Sequence, residues 1–157
     1  MKRIEVKLSL PVVAPLLDVI RGAAQELDGA LAAPQQLAGL DVELRTAWQD
    51  ELLHGQQDGC RRFLALFDSG FFANGVVGFD ESNAEPVLRA CSALRLRLRE
   101  HRLQDLPDEV LESGQIDVAQ LTDPVRKAFM GYVFLATLQE LIIQHLDASI
   151  LGGRDAA

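Results

Sequence analysis

Apolar and polar residues alternate at the start of the chain, and this period of two predicts a β-strand. Its apolar members are Ile4, Val6, Leu8 and Leu10. Pro11 is expected to end the strand. A single strand leaves its backbone groups unpaired and therefore needs a second one. Two partners remain open at this point, namely residues 75–79 of the same chain or the same strand of a second subunit.

Four longer segments carry apolar residues at the three- and four-residue spacing of amphipathic helices. Pro15 is expected to open the first, Asp41 to cap the second, Ser82 or Asn83 the third, and Asp123 the fourth. Their apolar residues are Leu16, Ile20, Ala23, Leu27 and Leu31; Leu44, Trp48 and Leu52; Val87, Cys91, Leu94 and Leu98; and Val125, Phe129, Tyr132, Val133, Phe134, Leu135, Leu138, Leu141, Ile142, Leu146 and Ile150. The fourth segment is apolar on most sides, which is typical of a helix in the centre of a core or in an interface.

Glycines and alternating patterns leave some boundaries open. Gly55 and Gly59 each cost about 1 kcal/mol inside a helix, but the apolar spacing continues after them from Cys60. We therefore predict one long second helix, with a bend near the glycines as the alternative. Residues 94–99 alternate like a strand, but the longer window favours a helix. Residues 69–79 are predicted to be a loop, and residues 106–120 a polar connection. The pattern predicts a mainly α, compact bundle of about four main helices with a short N-terminal strand, forming one domain over residues 1–157.

Composition narrows the classes of function. The 157 residues carry a net charge of −8, and such a surface repels nucleic acids and anionic membranes. No signal peptide is recognisable, and the apolar stretch at 128–143 contains Gln139 and Glu140, which makes it too short and too polar to span a bilayer. A cytoplasmic location is therefore expected. Cys60 and Cys91 have no metal-type spacing and are predicted to be buried thiols.

Three short motifs resemble a known bacterial family. They are Glu43-Leu44-Arg45, then Leu88-Arg89-Ala90 with Leu94-Arg95-Leu96-Arg97-Leu98, and finally Tyr132-x-x-Leu135-x-x-Leu138-Gln139-Glu140-x-Ile142. In this order they resemble the "domain of unknown function 2017" family over roughly residues 8–146, with this chain as a remote member. The resemblance implies a helical bacterial cytoplasmic protein. It implies no activity and no catalytic or binding residues.

A Glu-x-x-His spacing on the second helix is the strongest candidate for metal chemistry. Glu51 and His54 lie three residues apart, which places a carboxylate and an imidazole on one helix face, as in di-iron bundles. Such sites use two copies of the motif, and His145 has no glutamate three residues before it. A metal-binding bundle enzyme using Glu51 and His54, with His145 or Glu140, is therefore the alternative interpretation. No cofactor is expected.

Arginines on the third helix form the one basic cluster of the acidic chain. Arg95, Arg99 and Arg102 follow the i, i+4, i+7 spacing, which would suit an anion or an acidic peptide. The ordinary interpretation is a solvated helix face paired with nearby carboxylates such as Asp108. No nucleophile motif and no phosphate-binding loop are present.

Polar residues inside the apolar fourth helix suggest a contact between two core helices. We expect Arg95 or Arg89 to pair with Glu140 or Gln139 and to orient the third and fourth helices. These residues belong to the stretches that carry the family resemblance. A structure in which the arginine and its partner both point into bulk solvent would contradict this hypothesis.

Three phenylalanines fall in the predicted glycine-rich loop. Phe71, Phe72 and Phe79 either fold back onto the core, which is the ordinary outcome, or form a docking surface. Exposed parts of residues 132–150 in the apolar last helix are further candidates for such contacts. Together with the unpaired strand, these features favour a non-catalytic protein-interaction or regulatory module. Its expected partner is a second copy of the chain or another protein.

Overall fold

A computed structural model describes residues 3–32 and 41–147 of the protein. Within them, four long helices share one hydrophobic core, which confirms the mainly α class. The elements are β1 (Arg3–Lys7), α1 (Leu10–Glu26), α2 (Val42–Ala65), α3 (Ser69–Asn74), β2 (Val76–Asp80), α4 (Ala84–Arg102), α5 (Asp108–Ser113) and α6 (Asp123–Ile142), with a 3-10 turn at Val118–Gln120 and a π-helical turn at Ile143–Asp147. The predicted place of Ile150 in the last stripe lies outside the described residues.

The N-terminal strand pairs within the chain. β1 lies antiparallel to β2, with Val6 opposite Val77, so the first of the two predicted partners is confirmed. The strand ends at Lys7, before Pro11, because the chain turns directly into α1. The junction is tight at Gly75, whose φ is 74° and where a Cβ would lie 2.8 Å from the carbonyl oxygen of Leu8. A side chain at this position would be strained and would clash.

Helix α1 begins five residues earlier than predicted. It starts at Leu10, so Pro15 lies inside the helix and does not open it. Pro11 occupies the first turn, where a missing N–H costs nothing. Pro15 removes one bond on the exposed side of the helix, and burial of the opposite side, including Leu17 and Ile20, maintains the helix through it.

The predicted loop at residues 69–79 is a short helix followed by a strand. The side chain of Asp68 accepts a hydrogen bond from the backbone N–H of Phe71 at 3.1 Å and starts α3. Gly75 in the left-handed conformation ends α3. β2 follows, with Val77 and Phe79 buried on one face. The loop prediction was wrong because glycines were interpreted as breaks along the whole segment, whereas one of them is a helix cap.

Helices α2, α4 and α6 lie side by side, with α4 in the middle and α1 packed on α6 and α4. The stripe predicted for α4 is fully buried, and residues 94–99 are helical as predicted. The cap of α6 is Thr122, one residue earlier than predicted. The predicted connection at 106–120 contains α5 and a 3-10 turn, with Leu111 buried in the core.

Candidate functional site

Helix α2 changes its surroundings halfway along its length. Every residue from 42 to 52 is exposed, a segment that we call the α2 arm. Its large apolar side chains are solvent-accessible: 74% for Val42, 49% for Leu44, 54% for Trp48 and 40% for Leu52. The predicted stripe of Leu44, Trp48 and Leu52 is therefore helical, but none of its three side chains is buried in the core.

Local interactions explain why the α2 arm is helical without core contacts. The side chain of Asp41 accepts a hydrogen bond from the N–H of Leu44 at 2.9 Å, as predicted for the cap. Glu43 lies in the first turn, where a negative charge interacts favourably with the helix dipole. The helix is continuous through Gly55 and Gly59, so the long-helix prediction is confirmed.

The second half of α2 is held against α4 by a close approach at Gly59. A Cβ on Gly59 would lie 2.9 Å from the carbonyl oxygen of Pro86 and 3.6 Å from the Cβ of Ala90. Only a glycine allows the two backbones to come this close. Cys60 and Phe63 are buried on this half. The arm is thus the extension of a firmly packed helix.

A groove of about 450 Å³ lies between the α2 arm and α4, and we call it the α2–α4 groove. Its apolar lining includes Leu31, Trp48, Leu52, Ala93 and Leu96. Its polar lining includes Glu51 from α2 and Arg89 and Ser92 from α4. The arrangement is an apolar channel between two helices with an acid on one wall and a base on the other.

Gln56 fixes the chain beside this groove. Its side-chain nitrogen donates hydrogen bonds to the carbonyl oxygens of Leu27, at 3.1 Å, and Ala30, at 2.8 Å. Its side-chain oxygen accepts from the N–H of Ala32 at 3.0 Å. The turn after α1 is therefore tied to α2. Nothing in the local sequence distinguishes Gln56 from a solvated glutamine, so its hydrogen bonds to the turn could not be predicted.

Arg95 joins α4 to α6, as predicted. Its Nη1 donates to Oε1 of Gln139 at 2.7 Å, and its Nη2 donates to the hydroxyl of Tyr132 at 3.1 Å. The guanidinium carbon lies 4.7 Å from the centre of the Tyr132 ring. Gln139 in turn donates to the carbonyl oxygen of Leu88 and to Oγ of Ser92. The network orients two core helices, and it uses both Nη atoms of Arg95 inside the protein.

The other arginines of α4 are also occupied within the chain. Arg99 forms an ion pair with Asp108, one of the predicted partners. Arg102 binds Glu26 through both Nη atoms, and Nε of Arg97 lies 2.9 Å from the same carboxylate. The hydrogen bond from Arg102, followed by that from Arg97, lowers the pKa of Glu26 to about 2 against the opposing effect of burial. The predicted basic face is thus divided among separate partners, so it is not a single anion site.

Two of the three predicted docking phenylalanines are core residues. Phe71 and Phe79 are 1% and 0% exposed, so neither is accessible to a partner. Phe71 packs edge-on against Phe67, with ring centres 5.0 Å apart. Phe72 is 43% exposed and remains accessible. The docking prediction is therefore wrong for Phe71 and Phe79, because α3 and β2 turn these rings toward the core.

The candidate metal ligands are spread over the surface. Glu51 and His54 are exposed on α2, whereas Glu140 and His145 are exposed near the end of α6. Within residues 3–32 and 41–147, no group of three or more His, Cys, Asp or Glu side chains is placed to hold a metal ion. Any metal at Glu51 and His54 would need ligands from elsewhere.

The two cysteines are buried thiols, as predicted. Burial raises the pKa of Cys60 to about 11 and that of Cys91 to about 12. At neutral pH both therefore stay protonated, and a protonated thiol is a poor nucleophile and a poor metal ligand.

Helix α6 and its extension reach the length and composition of a membrane span. An 18-residue window within Asp123–Leu146 has a mean hydropathy of 1.2, so by length and composition alone this helix could cross a membrane, contrary to the prediction that the region is too short and too polar. The core helix of a soluble protein has the same properties. In the structure α6 packs on α1 and α4, with Phe129, Leu135 and Ile142 buried.

No family model matches the chain, and neither a curated protein nor a solved structure is significantly similar to it.

Proposed function

We propose that the protein is a non-catalytic interaction or regulatory module whose α2–α4 groove binds an amphipathic helix of another protein. The observation that carries this proposal is the exposure of Leu44, Trp48 and Leu52 along one stripe of the α2 arm. Large apolar surfaces that stay in contact with water cost free energy, and they commonly mark binding sites.

The shape of the groove supports a helix as its occupant. Two helices line an open, mainly apolar channel there, the geometry used when a helix lays its apolar face into a groove. Trp48 supplies a large side chain of the type that dominates binding energy at interfaces. The polar walls suit a helix with mixed charges, with a base near Glu51 and an acid near Arg89.

Source and location belong to the same proposal. The family resemblance supports a bacterial protein and the cytoplasm as its compartment. The membership of the family itself stays a prediction.

Photo-crosslinking in living cells tests the proposal. A benzophenone amino acid replacing Trp48 is expected to yield a discrete crosslinked product with one other protein. The matched control is the same replacement at Val12, an apolar residue of α1 that is 52% exposed. Equal crosslinking at both positions, or none at Trp48, would contradict the proposal.

Affinity measurement then identifies the groove as the contact. Trp48→Ala is expected to weaken binding of the crosslinked protein at least tenfold, as for a central interface aromatic. Val12→Ala removes a similarly exposed apolar side chain outside the groove and should leave the affinity unchanged.

A further inference from the structure

The outer edge of β1 carries backbone N–H and C=O groups that form no hydrogen bond with the described residues. The N–H of Leu8 donates to the carbonyl oxygen of Gly75 at 2.7 Å, so Leu8 faces β2. Because hydrogen-bonding direction alternates along a strand, Ile4 and Val6 also face β2. The N–H and C=O groups of Arg3, Glu5 and Lys7 point away from it, and no described backbone group pairs with them.

The opposite edge of the sheet is closed by side chains. On β2, the N–H of Val76 donates to Oδ1 of Asn74, and the N–H of Asp80 donates to Oδ1 of Asn83, both at 2.9 Å. Nδ2 of Asn83 also donates to the carbonyl oxygen of Gly78 at 3.2 Å. Side chains that occupy these groups prevent a further strand from adding there. The two edges of the sheet therefore differ: among the described residues, the outward backbone groups of β1 form no hydrogen bond, although the π-helical turn Ile143–Asp147 lies near this strand.

We infer that the β1 edge pairs with β1 of a second copy of the chain, antiparallel and centred on Val6, to form a four-stranded sheet β2–β1–β1–β2. The sequence from Ile4 to Leu8 supports this register because it is self-complementary. Val6 lies opposite Val6 of the second copy, and Ile4 lies opposite Leu8. On the other face of the sheet, Glu5 of each copy lies opposite Lys7 of the other copy.

Charge selects this register over its neighbours. Opposite charges directly across an antiparallel pair are favourable, and like charges are unfavourable. Shifting the centre to Glu5 would place Glu5 opposite Glu5 and Arg3 opposite Lys7. The centred register instead gives two Glu5–Lys7 pairs, with four hydrogen bonds from the outward-facing groups of these residues. The shifted register would form two more hydrogen bonds, so charge and not hydrogen-bond number selects the centred one. Glu5 also contacts Arg3 at 3.6 Å, but both side chains are more than half exposed and the contact is screened.

The apolar face gives the second source of stabilisation. Ile4, Val6 and Leu8 are half-buried and pack on the core of their own subunit. Joining two copies edge to edge continues this apolar layer across the two-fold axis. This contact uses none of the residues that line the α2–α4 groove, so it goes beyond the function proposed above.

Sedimentation equilibrium of the purified full chain at several concentrations tests the inference. A concentration-dependent dimer is expected. Glu5→Lys places lysine opposite Lys7, and Lys7→Glu places glutamate opposite Glu5, so each should weaken the dimer about tenfold. The double variant Glu5→Lys/Lys7→Glu restores opposite charges and should dimerise like the unchanged chain. Circular dichroism establishes that each variant is folded.

Amide hydrogen exchange provides the second measurement. The amides of Glu5 and Lys7 should exchange slowly in the dimer and fast after dilution, whereas that of Val6 should be protected in both states. A monomer at every concentration, or a dimer that neither single swap weakens, would overturn the inference. A dimer that persists in the swaps but is lost in Trp48→Ala would assign the contact to the α2 arm. Cellular crosslinking at Trp48 to a different protein would leave the proposed function standing even if the chain is monomeric.

Discussion

The two halves of α2 carry the same apolar spacing and have opposite surroundings. The second half, residues 53–65, lies against α4, with Cys60 and Phe63 at most 7% exposed. The first half presents Leu44 and Trp48 to solvent, each about half exposed. Periodicity specifies which face of a helix is apolar, but it does not specify what that face contacts.

The difference comes from the opposing surface and not from the helix itself. Near Gly59, α4 approaches so closely that a Cβ on Gly59 would lie 2.9 Å from the carbonyl oxygen of Pro86. Near Trp48 the same two helices line a groove that leaves the indole 54% exposed. An apolar stripe that continues beyond the packed half of its helix is the arrangement expected of a binding surface.

Truncating one aromatic ring in each half should give the largest contrast. Phe63→Ala removes a fully buried ring and should lower the free energy of unfolding by about 3–5 kcal/mol. Trp48→Ala removes a larger ring but should change it by only about 0.5 kcal/mol, because the indole is exposed. Urea unfolding followed by circular dichroism measures both. Similar losses for the two variants would mean that Trp48 belongs to the core.

The opposite side of α4 offers a polar contact for comparison. Gln139→Leu removes the acceptor of Arg95 and should cost about 2 kcal/mol, since it leaves a partly buried charged donor unsatisfied. Arg89→Met, on the groove side of α4, should cost less than about 0.5 kcal/mol, because Arg89 makes only an exposed contact to Glu85 at 3.9 Å. Equal effects in thermal unfolding would show that the groove side is packed as tightly as the α6 side.

Two glycines test how closely α2 is packed along its length. Gly59→Ala places a Cβ 2.9 Å from a carbonyl oxygen, and the strain should exceed the gain in helix propensity, for a net loss of about 1 kcal/mol. A Cβ on Gly55 would have no described atom within 4 Å, so Gly55→Ala should stabilise the protein by about 1 kcal/mol. Unfolding midpoints that shift in opposite directions are expected, and a shift of the same sign would place Gly55 in a contact.

Acid should act on the packed region through Glu26. The pKa of Glu26 is about 2 in the folded protein and 4.5 in the unfolded reference. Because the folded value is the lower one, the carboxylate stabilises the fold above about pH 4.5, and this contribution is lost as the pH falls toward 2. Glu26→Gln should therefore flatten the stability curve between pH 5 and 2. An unchanged curve would show that the pairs to Arg97 and Arg102 contribute nothing.

The sequence predicted the elements better than their contacts. The helical stripes of α4 and α6, the cap at Asp41 and the pair Arg95–Gln139 could be predicted because period, capping chemistry and a polar group in an apolar helix are local signals. The start of α1 could not, because Pro15 is tolerated only through burial of the opposite side. The burial of Phe79 depends on the pairing of β2 with β1, in which Ile4, some 70 residues away along the chain, lies opposite Phe79.

Only part of the candidate site could be predicted from the sequence. Leu44, Trp48 and Leu52 were predicted as a stripe, but their exposure depends on what lies opposite them in the fold. The role of Gln56 depends on a turn more than 20 residues away. The need of β1 for a pairing strand was the exception, since it follows directly from a lone alternating segment.

Quenching of tryptophan fluorescence by acrylamide tests the central claim most directly. Trp48 is the single tryptophan of the chain, so the whole signal reports on the α2 arm. If the arm is an unoccupied binding surface, acrylamide should quench the folded protein nearly as efficiently as the urea-unfolded chain. Quenching several-fold weaker in the folded protein at low concentration would mean that the stripe is already covered, and it would contradict the account.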